Sequence, residues 1–397
     1  MKALQKRLIS VLLICVLLIG GAVIVQKGGG KFVEETASST EALEKEAAEQ
    51  EAYESAAVDL VFWYEDASYT EFFEETARRY FAQTGVKVSV ECQNTIDYIG
   101  DIYDKTMQDD AFPDVYLIPG DNLEEAYLYG LVSVNEKGLS DVNAASNAVS
   151  AATYEDKLLG YPLSFNTCVF VFQPDYFGDA PESLQSIIDY SNENDPAENV
   201  EYLLEWDVND AFYDFPFIGN SVTFEKTETD TMNVIYNEDL YQQDLEYFDT
   251  ILASFSVDAD TVSEKRIIEN FLAGRTLSAI IDTDSLYKLD GYRYELVQMP
   301  NLNETLAAPV CAITDMLVVN DFSEKQDTAA EFAYFATVTM AKDLYGISGH
   351  FSVIPTENQG QEERVAFDAY ETAVLVPDSK DARDFWVNLQ ETILKYF

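Results

Sequence analysis

The sequence predicts an α/β fold of mostly parallel sheets, divided into two lobes and preceded by an apolar segment. Three observations lead to this prediction. Residues 58–121 alternate apolar strands with amphipathic helices, the pattern of a parallel sheet wound with right-handed crossovers. The part of the chain after residue 57, about 340 residues, exceeds what one hydrophobic core usually supports. Residues 8–25 form an unbroken apolar run.

This apolar run is about long enough to span a bilayer. Lysine and arginine precede it, so the positive-inside rule keeps the first residues cytoplasmic and exports the rest of the chain. We interpret residues 1–30 as a cytoplasmic start and a retained membrane anchor. A cleaved signal peptide is an alternative, although no A-x-A-like site follows the run. Lipidation at Cys15 is a third interpretation, although Ile14 stands where a small residue is usual.

The charge balance restricts the partners. Asp and Glu number 72 against 24 Lys and Arg, a formal net charge of -48, which excludes a general nucleic-acid binder and disfavours docking on anionic lipid. The charge suits a cationic ligand, but acids spread along the whole chain are also typical of a highly solvated secreted surface. Residues 31–57 are rich in Glu and Ala and lack proline, so we expect an acidic, partly helical spacer.

Cysteine and histidine are scarce. Cys92, Cys168 and Cys311 follow the apolar run without any close pairing, so we predict no disulfide framework and expect each to be a buried free thiol. His350 is the only histidine, which disfavours a histidine metal site or a Ser-His-Asp triad. No dinucleotide-binding, P-loop, zinc-protease or nucleophile-elbow pattern occurs. From these absences we expect no metal site, no cofactor and no enzymatic activity.

The fold begins with three strands and two helices. The elements predicted in order are a strand over VDLVFWY, a helix from Thr70 that Gly85 ends, a strand over VKVSVE, a helical stretch from Ile96 to Met107 and a buried strand over PDVYLIPGD. Ligands of such sheets bind outside the carboxyl ends of the strands.

Polar residues occupy these strand ends. Glu65, Asp66 and Tyr69 follow the first strand, and Asp121 follows the third. We expect one of the first three to face a ligand and the others to cap the helix that follows. For Asp121 we consider a ligand contact and a cap on the helix beginning at Leu123 as alternatives.

Several segments, taken in order, resemble the extracellular solute-binding proteins of ABC importers, specifically the maltose-binding-protein-like, sugar-binding branch. The segments are FWYEDASYTEFFEETARRYFAQTGVKVSVE, AFPDVYLIPGDNLEEAYLYGLV, YEDKLLGYPLSFNTCVFVFQPDYF, FLAGRTLSAIIDTDSLY, AAPVCAITDMLVVNDFSEKQDTAAEFAYFATV, LYGISGHFSVIP and VPDSKDARDFWVNLQETI. The resemblance covers roughly residues 58–397, and its specificity comes from the ordered series rather than from any one motif.

The resemblance implies a type II periplasmic-binding-protein-like fold, with two lobes that are each discontinuous in sequence. The implied ranges are 58–164 with 313–356 for lobe one, 168–308 with 357–397 for lobe two, and crossovers at 163–168 and 310–314. In family members the crossovers run side by side. This arrangement brings Cys168 near Cys311 and leaves a disulfide between them open.

The resemblance also implies a function. The protein is expected to be a monomer outside the cell membrane that captures a mono- or oligosaccharide between its lobes and delivers it to ABC permease subunits. Carboxylates suit the sugar hydroxyls and aromatic rings suit its apolar faces. A cationic solute such as a polyamine is an alternative, and so is a membrane-anchored receptor that is not coupled to transport.

Further site residues come from the same resemblance. The segment WDVNDAFYDFPFIG resembles a family stretch that lines the cleft and assigns Asp210, Phe212 and Tyr213 to the ligand. Aromatic residues at this spacing are also typical of a helix core, an interpretation that fits Phe215 and Phe217 best. The resemblance also aligns Asp121 with the position at which sugar-binding family members place a carboxylate on ligand hydroxyls.

The turn IIDTDSLY departs from the family pattern. Many sugar-binding relatives have Gly-x-Trp here, whereas this chain has Asp284 and Tyr287. Tyr287 replaces the tryptophan ring with a smaller one, or else the ligand is smaller or is not a sugar. Asn166, in the first crossover, completes the predicted ligand set.

Overall fold

The computed structural model describes residue 48 and residues 50–108, 111–194, 196–226, 232–255, 257–356, 359–376 and 380–397. The predicted anchor over residues 8–25 and most of the predicted spacer over 31–57 lie outside the described residues. Among the residues that are described, no helix is both long and apolar enough to cross a membrane. The anchor therefore stays a prediction.

The strands form one large sheet and two small ones. They are β1 (Leu60–Tyr64), β2 (Val88–Cys92), β3 (Val115–Pro119), β4 (Thr153–Tyr154), β5 (Lys157–Leu158), β6 (Tyr161–Phe172), β7 (Tyr202–Glu205), β8 (Val222–Lys226), β9 (Met232–Tyr236), β10 (Thr276–Asp282), β11 (Glu295–Val297), β12 (Cys311–Val319), β13 (Phe351–Ser352) and β14 (Val374–Leu375). The main path of the large sheet runs β2-β1-β3-β12-β6-β10-β7.

Helices cover this sheet and fill the connections. They are α1 (Thr70–Thr84), α2 (Tyr98–Met107), α3 (Leu123–Leu128), α4 (Ser146–Ala151), α5 (Pro174–Phe177), α6 (Leu184–Glu193), α7 (Ala211–Ile218), α8 (Glu238–Phe255), α9 (Glu264–Leu272), α10 (Gln326–Tyr334), α11 (Leu344–Ser348), α12 (Gln361–Thr372) and α13 (Lys380–Ile393). Short 3₁₀ turns at Ala67–Tyr69, Gly120–Asn122 and Thr283–Leu289 follow β1, β3 and β10.

The predicted opening of the fold is confirmed. Strand β1 pairs in parallel with both β2 and β3. Helix α1 ends at Gly85, whose φ of 75° suits glycine and whose N–H donates to the carbonyl of Phe81. The ring of Tyr53 lies 5.3 Å from that of Phe81. The end of the predicted spacer therefore docks on the fold.

Two lobes share the long strand β6. Its first half pairs with β12, beside β3, and its second half pairs with β10, beside β7. We call the part around β1, β2 and β3 lobe one and the part around β7, β10 and β11 lobe two. The predicted crossovers do run side by side, since Thr167 pairs with Ala312 and Phe165 pairs with Thr314. The residue limits of each lobe stay a prediction.

Each lobe has its own hydrophobic packing. In lobe one, α1 and α10 cover one face of the sheet, where Phe62 packs with Phe73 and Phe332. Helices α2 and α3 cover the other face. In lobe two, Trp206 is fully buried beside Phe217. Separate cores explain why a chain of this length folds as two units.

The thiols are free. Cys168 and Cys311 are buried without a disulfide. The pairing of Thr167 with Ala312 sets them opposite each other, and their sulfurs lie 3.6 and 3.9 Å from the carbonyl oxygen of Phe212. Cys92 is exposed, so the expectation that it is buried is wrong. It is the last residue of β2, where that edge strand reaches the surface.

Candidate functional site

A cavity of about 670 Å³ lies between the two lobes. Lobe one contributes residues between 120 and 154, and the β8–β9 hairpin contributes 222–224. The second crossing strand contributes residues 312–314, and β14 with the residue after it contributes 374–376. Clefts between two lobes are typical binding sites for small solutes, because closure of the lobes can surround the solute.

Asp121 is the predicted ligand residue that lines this cavity. Its Oδ1 atom is buried without a hydrogen-bond partner in the part of the chain that the structure describes. Burial raises the pKa of its carboxyl, while its own backbone N–H and the charge of Arg383 on α13 lower it. Asn122 precedes α3, and no side chain caps that helix. The alternative role of Asp121 as the cap of α3 is therefore wrong.

A second polar group joins three segments that are distant in sequence. Nδ1 of His350 lies 2.8 Å from Oδ1 of Asp284, and Nε2 lies 2.7 Å from Oγ of Ser68. The hydroxyl of Ser68 donates to Asp66 at 2.6 Å. The imidazole stacks on the ring of Tyr69, with centroids 4.0 Å apart and planes inclined by 16°. We call these residues, together with Asp315, the His350 cluster.

Asp315 lies beneath Tyr69 in this cluster. The hydroxyl of Tyr69 donates to Oδ2 of Asp315 at 2.6 Å and lies 2.6 Å from Oγ of Ser164. Burial raises the pKa of Asp315 to about 7, with the charge of Asp284 adding to the rise and Tyr69 and His350 opposing it. Asp66, Tyr69 and Asp284, all predicted ligand residues, thus contact protein partners here.

A third group ties the first crossover to the turn after β10. The side-chain amide of Asn166 donates to Oδ2 of Asp282 at 3.1 Å, and its carbonyl oxygen accepts from Thr283 at 3.1 Å. Burial raises the pKa of Asp282 to about 6. Tyr213 is 5% exposed, and burial, followed by the charge of Asp282, raises the pKa of its hydroxyl. Asn166 and Tyr213 therefore meet around Asp282, outside the walls of the cavity.

The other predicted residues have mainly structural contacts. Asp210 caps α7, because its Oδ1 accepts from the backbone N–H of Phe212 at 2.9 Å. Glu65 is exposed. The ring of Tyr287 is 45% exposed and lies against Gly349, where a Cβ would come within 2.8 Å of its Cδ1. These residues lie outside the walls of the cavity.

Sequence reasoning missed His350, Ser68 and Asp315 as site residues. The sequence signal near His350 was Gly349, a residue typical of a helix end, and the structure confirms that it ends α11 with a φ of 81°. The next residue, His350, contacts Ser68 in the turn after β1. Asp315 had no local signal, because it is the pairing of β12 with β6 that brings it under Tyr69. Among the described residues, no group of His, Cys, Asp and Glu could hold a metal ion.

Comparison with known proteins identifies the fold and the class. Residues 75–365 match the model of the bacterial extracellular solute-binding proteins. No curated protein matches the chain. The predicted class, an extracellular solute-binding protein rather than an enzyme, is confirmed by the family match.

Solved structures share the fold over most of the chain. A cyclo/maltodextrin-binding protein complexed with maltotetraose has a TM-score of 0.73 and 16% identity over 86% of this chain and 92% of that one. The extracellular solute-binding protein from Staphylococcus aureus in complex with maltose has a TM-score of 0.70 and 16% identity, covering 86% and 93%. The Thermus thermophilus maltotriose-binding protein bound with maltotriose has a TM-score of 0.68 and 15% identity over 85% of this chain and 94% of that one. The predicted two-lobed α/β fold is confirmed.

Proposed function

This chain belongs to the bacterial extracellular solute-binding protein family, since the match covers residues 75–365, and we propose that it captures a neutral carbohydrate between its lobes. The solute is a mono- or oligosaccharide that the protein passes to the permease subunits of an ABC importer. Support comes from the proteins of similar structure, which were solved with maltose, maltotriose and maltotetraose. The run of residues 8–25 behind a cationic start supports a membrane anchor that holds the protein outside the cell, where we propose that it acts as a monomer.

The cavity of about 670 Å³ is the observation that carries this proposal. Its walls combine polar groups at Asp121, Asn147 and Thr153 with the rings of Tyr154 and Phe224. A sugar needs both kinds of surface, because its hydroxyls require hydrogen-bond partners and its C–H faces pack against rings. Since both lobes line the cavity, the solute contacts them together only when they are closed, and its binding free energy favours closure.

A neutral solute fits better than a cationic one. The acids of the His350 cluster already surround a basic side chain of the protein, with Nδ1 of His350 2.8 Å from Asp284. In the cavity, the charge of Arg383 acts on Asp121. The negative charge of these carboxylates is therefore already partly neutralised, which weakens their attraction for a polyamine.

A thermal-shift screen tests the class of solute. Glucose, maltose, maltotriose, spermidine and putrescine are each added to the protein lacking residues 1–30. A sugar at a hundred times its dissociation constant should add about 2.7 kcal/mol to the free energy of unfolding. X-ray scattering with the same sugar should report a smaller radius of gyration. Stabilisation by spermidine or putrescine alone would replace the proposal with the cationic alternative.

The variant Asp121→Ala tests the location of the site. It should weaken binding of the stabilising sugar by about 1.5 to 3 kcal/mol, ten- to a hundredfold, because a buried hydroxyl would lose its acceptor. Asp104→Ala is the matched control, since Asp104 is an exposed lobe-one acid on α2. Isothermal titration calorimetry measures both. Equal affinity in the two variants would place the sugar elsewhere.

A further inference from the structure

We propose that His350 is a cationic latch between the two lobes. The latch favours the closed form in mild acid, and its contribution to closure is lost as the pH rises. The latch is a property of the protein itself. Only its consequence for solute affinity rests on the proposed function.

The contact between His350 and Asp284 crosses the boundary between the lobes. His350 precedes β13, which pairs with the first half of β6 in the lobe-one sheet. Asp284 follows β10, which pairs with β7 and the second half of β6 in lobe two. The 2.8 Å contact between His350 and Asp284 therefore joins the lobes. The ring of Tyr287 against Gly349 lies next to it.

The hydrogen-bond geometry favours a proton on both ring nitrogens. Ser68 has one hydroxyl proton, which it donates to Asp66 at 2.6 Å. Its oxygen is then the acceptor for Nε2 of His350 at 2.7 Å. Asp284 is a carboxylate that only accepts, so Nδ1 donates to it. An imidazole that donates from both nitrogens is an imidazolium cation.

The surroundings favour that cation. Asp284 faces the ring from the turn after β10, Asp66 through Ser68 from the turn after β1, and Asp315 from β12, while Tyr69 stacks on its face. Burial lowers the pKa of His350, but the hydrogen bond and charge of Asp284, with the charges of Asp315 and Asp66, raise it further than burial lowers it.

Opening the lobes removes Asp284 and leaves Asp66 and Ser68 in place. The pKa of His350 is therefore higher in the closed form than in the open one. A raised histidine pKa favours the closed form fully below the open-form pKa, and this contribution is lost as the pH rises through the closed-form pKa. Each pKa unit of difference between the two forms changes the closing equilibrium by about tenfold.

Ser68, His350 and Asp284 resemble a Ser-His-Asp triad, but their hydrogen bonds oppose a catalytic role. A general base must accept the serine proton at Nε2, whereas Ser68 gives its proton to Asp66. The backbone N–H of Ser68 also donates to Asp66, at 2.8 Å. It is therefore not free to stabilise an oxyanion.

Nuclear magnetic resonance of the single histidine tests the latch directly. In protein with ¹³C,¹⁵N-histidine, the one imidazole signal should titrate above the ordinary pKa, with both nitrogens protonated at pH 6. In Asp284→Asn the titration should move down by about one unit or more, since a close carboxylate is lost. Asp290→Asn, an exposed acid after the same turn, should leave it unchanged. A neutral ring at pH 6 would overturn the proposal.

Scattering measures the consequence for closure without any solute. Wild-type protein should have a larger radius of gyration at pH 8.5 than at pH 5.5, and His350→Gln should remove that difference while circular dichroism reports an intact fold. A radius independent of pH in wild-type protein would overturn the latch. Labelling of Ser68 by a fluorophosphonate would do so as well, because it requires a neutral, basic ring. Failure of every sugar in the thermal screen would remove the proposed solute class and leave these outcomes unaffected.

Discussion

Asp244 is a buried acid whose ionisation should make the stability of lobe two depend on pH. It lies on α8, fully buried, and neither carboxyl oxygen has a hydrogen-bond partner among the described residues. The nearby Ser221 hydroxyl donates to the carbonyl of Ile218 at 2.7 Å. Burial raises the pKa of Asp244 from 3.8 to about 6. The folded state therefore binds this proton more tightly than the unfolded state does.

The sign and size of the effect follow from linkage. A raised carboxyl pKa favours the folded state at low pH, and this stability is lost as the pH rises from about 4 to about 6. A difference of about two pKa units corresponds to about 3 kcal/mol. Between pH 4.5 and 7.5 the wild-type protein should lose about 2 kcal/mol through this residue. Asp244→Asn has nothing to ionise and should not lose it.

Urea unfolding followed by tryptophan fluorescence measures the free energy of unfolding at both pH values. The advantage of Asp244→Asn over wild type should grow by about 2 kcal/mol from pH 4.5 to 7.5. Any fixed cost of the buried amide cancels in this comparison. Asp249→Asn, an exposed position on the same helix, is the control and should show no such growth. An Asp244→Asn advantage that is the same at both pH values would refute the reasoning.

Two other predictions concern packing and thiol reactivity. Phe217→Ala should lower the free energy of unfolding by about 3 to 5 kcal/mol, because the Phe217 ring is buried 4.8 Å from that of Trp206. Sugar affinity measured by calorimetry should stay unchanged. A loss of affinity in the folded variant would place α7 at the ligand. Iodoacetamide should modify exposed Cys92 in the native protein, and Cys168 and Cys311 only after unfolding. Burial raises the pKa of both buried thiols, and mass spectrometry that found them modified in native protein would contradict their burial.

The opening of lobe one could be predicted because its signals are local. Strand β1 is apolar over its whole length, and α1 carries its aromatic residues on one face. Gly85 ends the helix where the pattern ends. The differences are small, since β1 begins at Leu60 and not at Val58, and α2 begins at Tyr98 and not at Ile96. Periodicity and a helix stop are sufficient for such elements, because neither depends on distant residues.

The candidate site could be predicted only in part. Asp121 follows a strand end, so the position of a ligand residue could be read from the topology. For helix α7 the sequence does not predict which side chains face the ligand. The helix is buried on nearly every side, so it has no polar face that would show its orientation. The His350 cluster depends on contacts across 66 and 282 residues of sequence. No local pattern reports a contact of that range.

The crossing strands show how one irregularity positions this cluster. The pairing of β12 with β6 shifts between Asp315 and Met316, a bulge at which Asp315 faces Ser164 and Met316 faces Pro162. Asp315 and Ser164 both contact the hydroxyl of Tyr69, on which the ring of His350 stacks. A slip of one residue turns every side chain to the opposite face of a sheet. The extra residue, Leu163, lies on β6, so without it either Ser164 or the residues that precede it on β6 would face the opposite side of the sheet. The bulge therefore lets β6 pack Leu163 in the core of lobe one and also place Ser164 opposite Asp315, where both contact Tyr69.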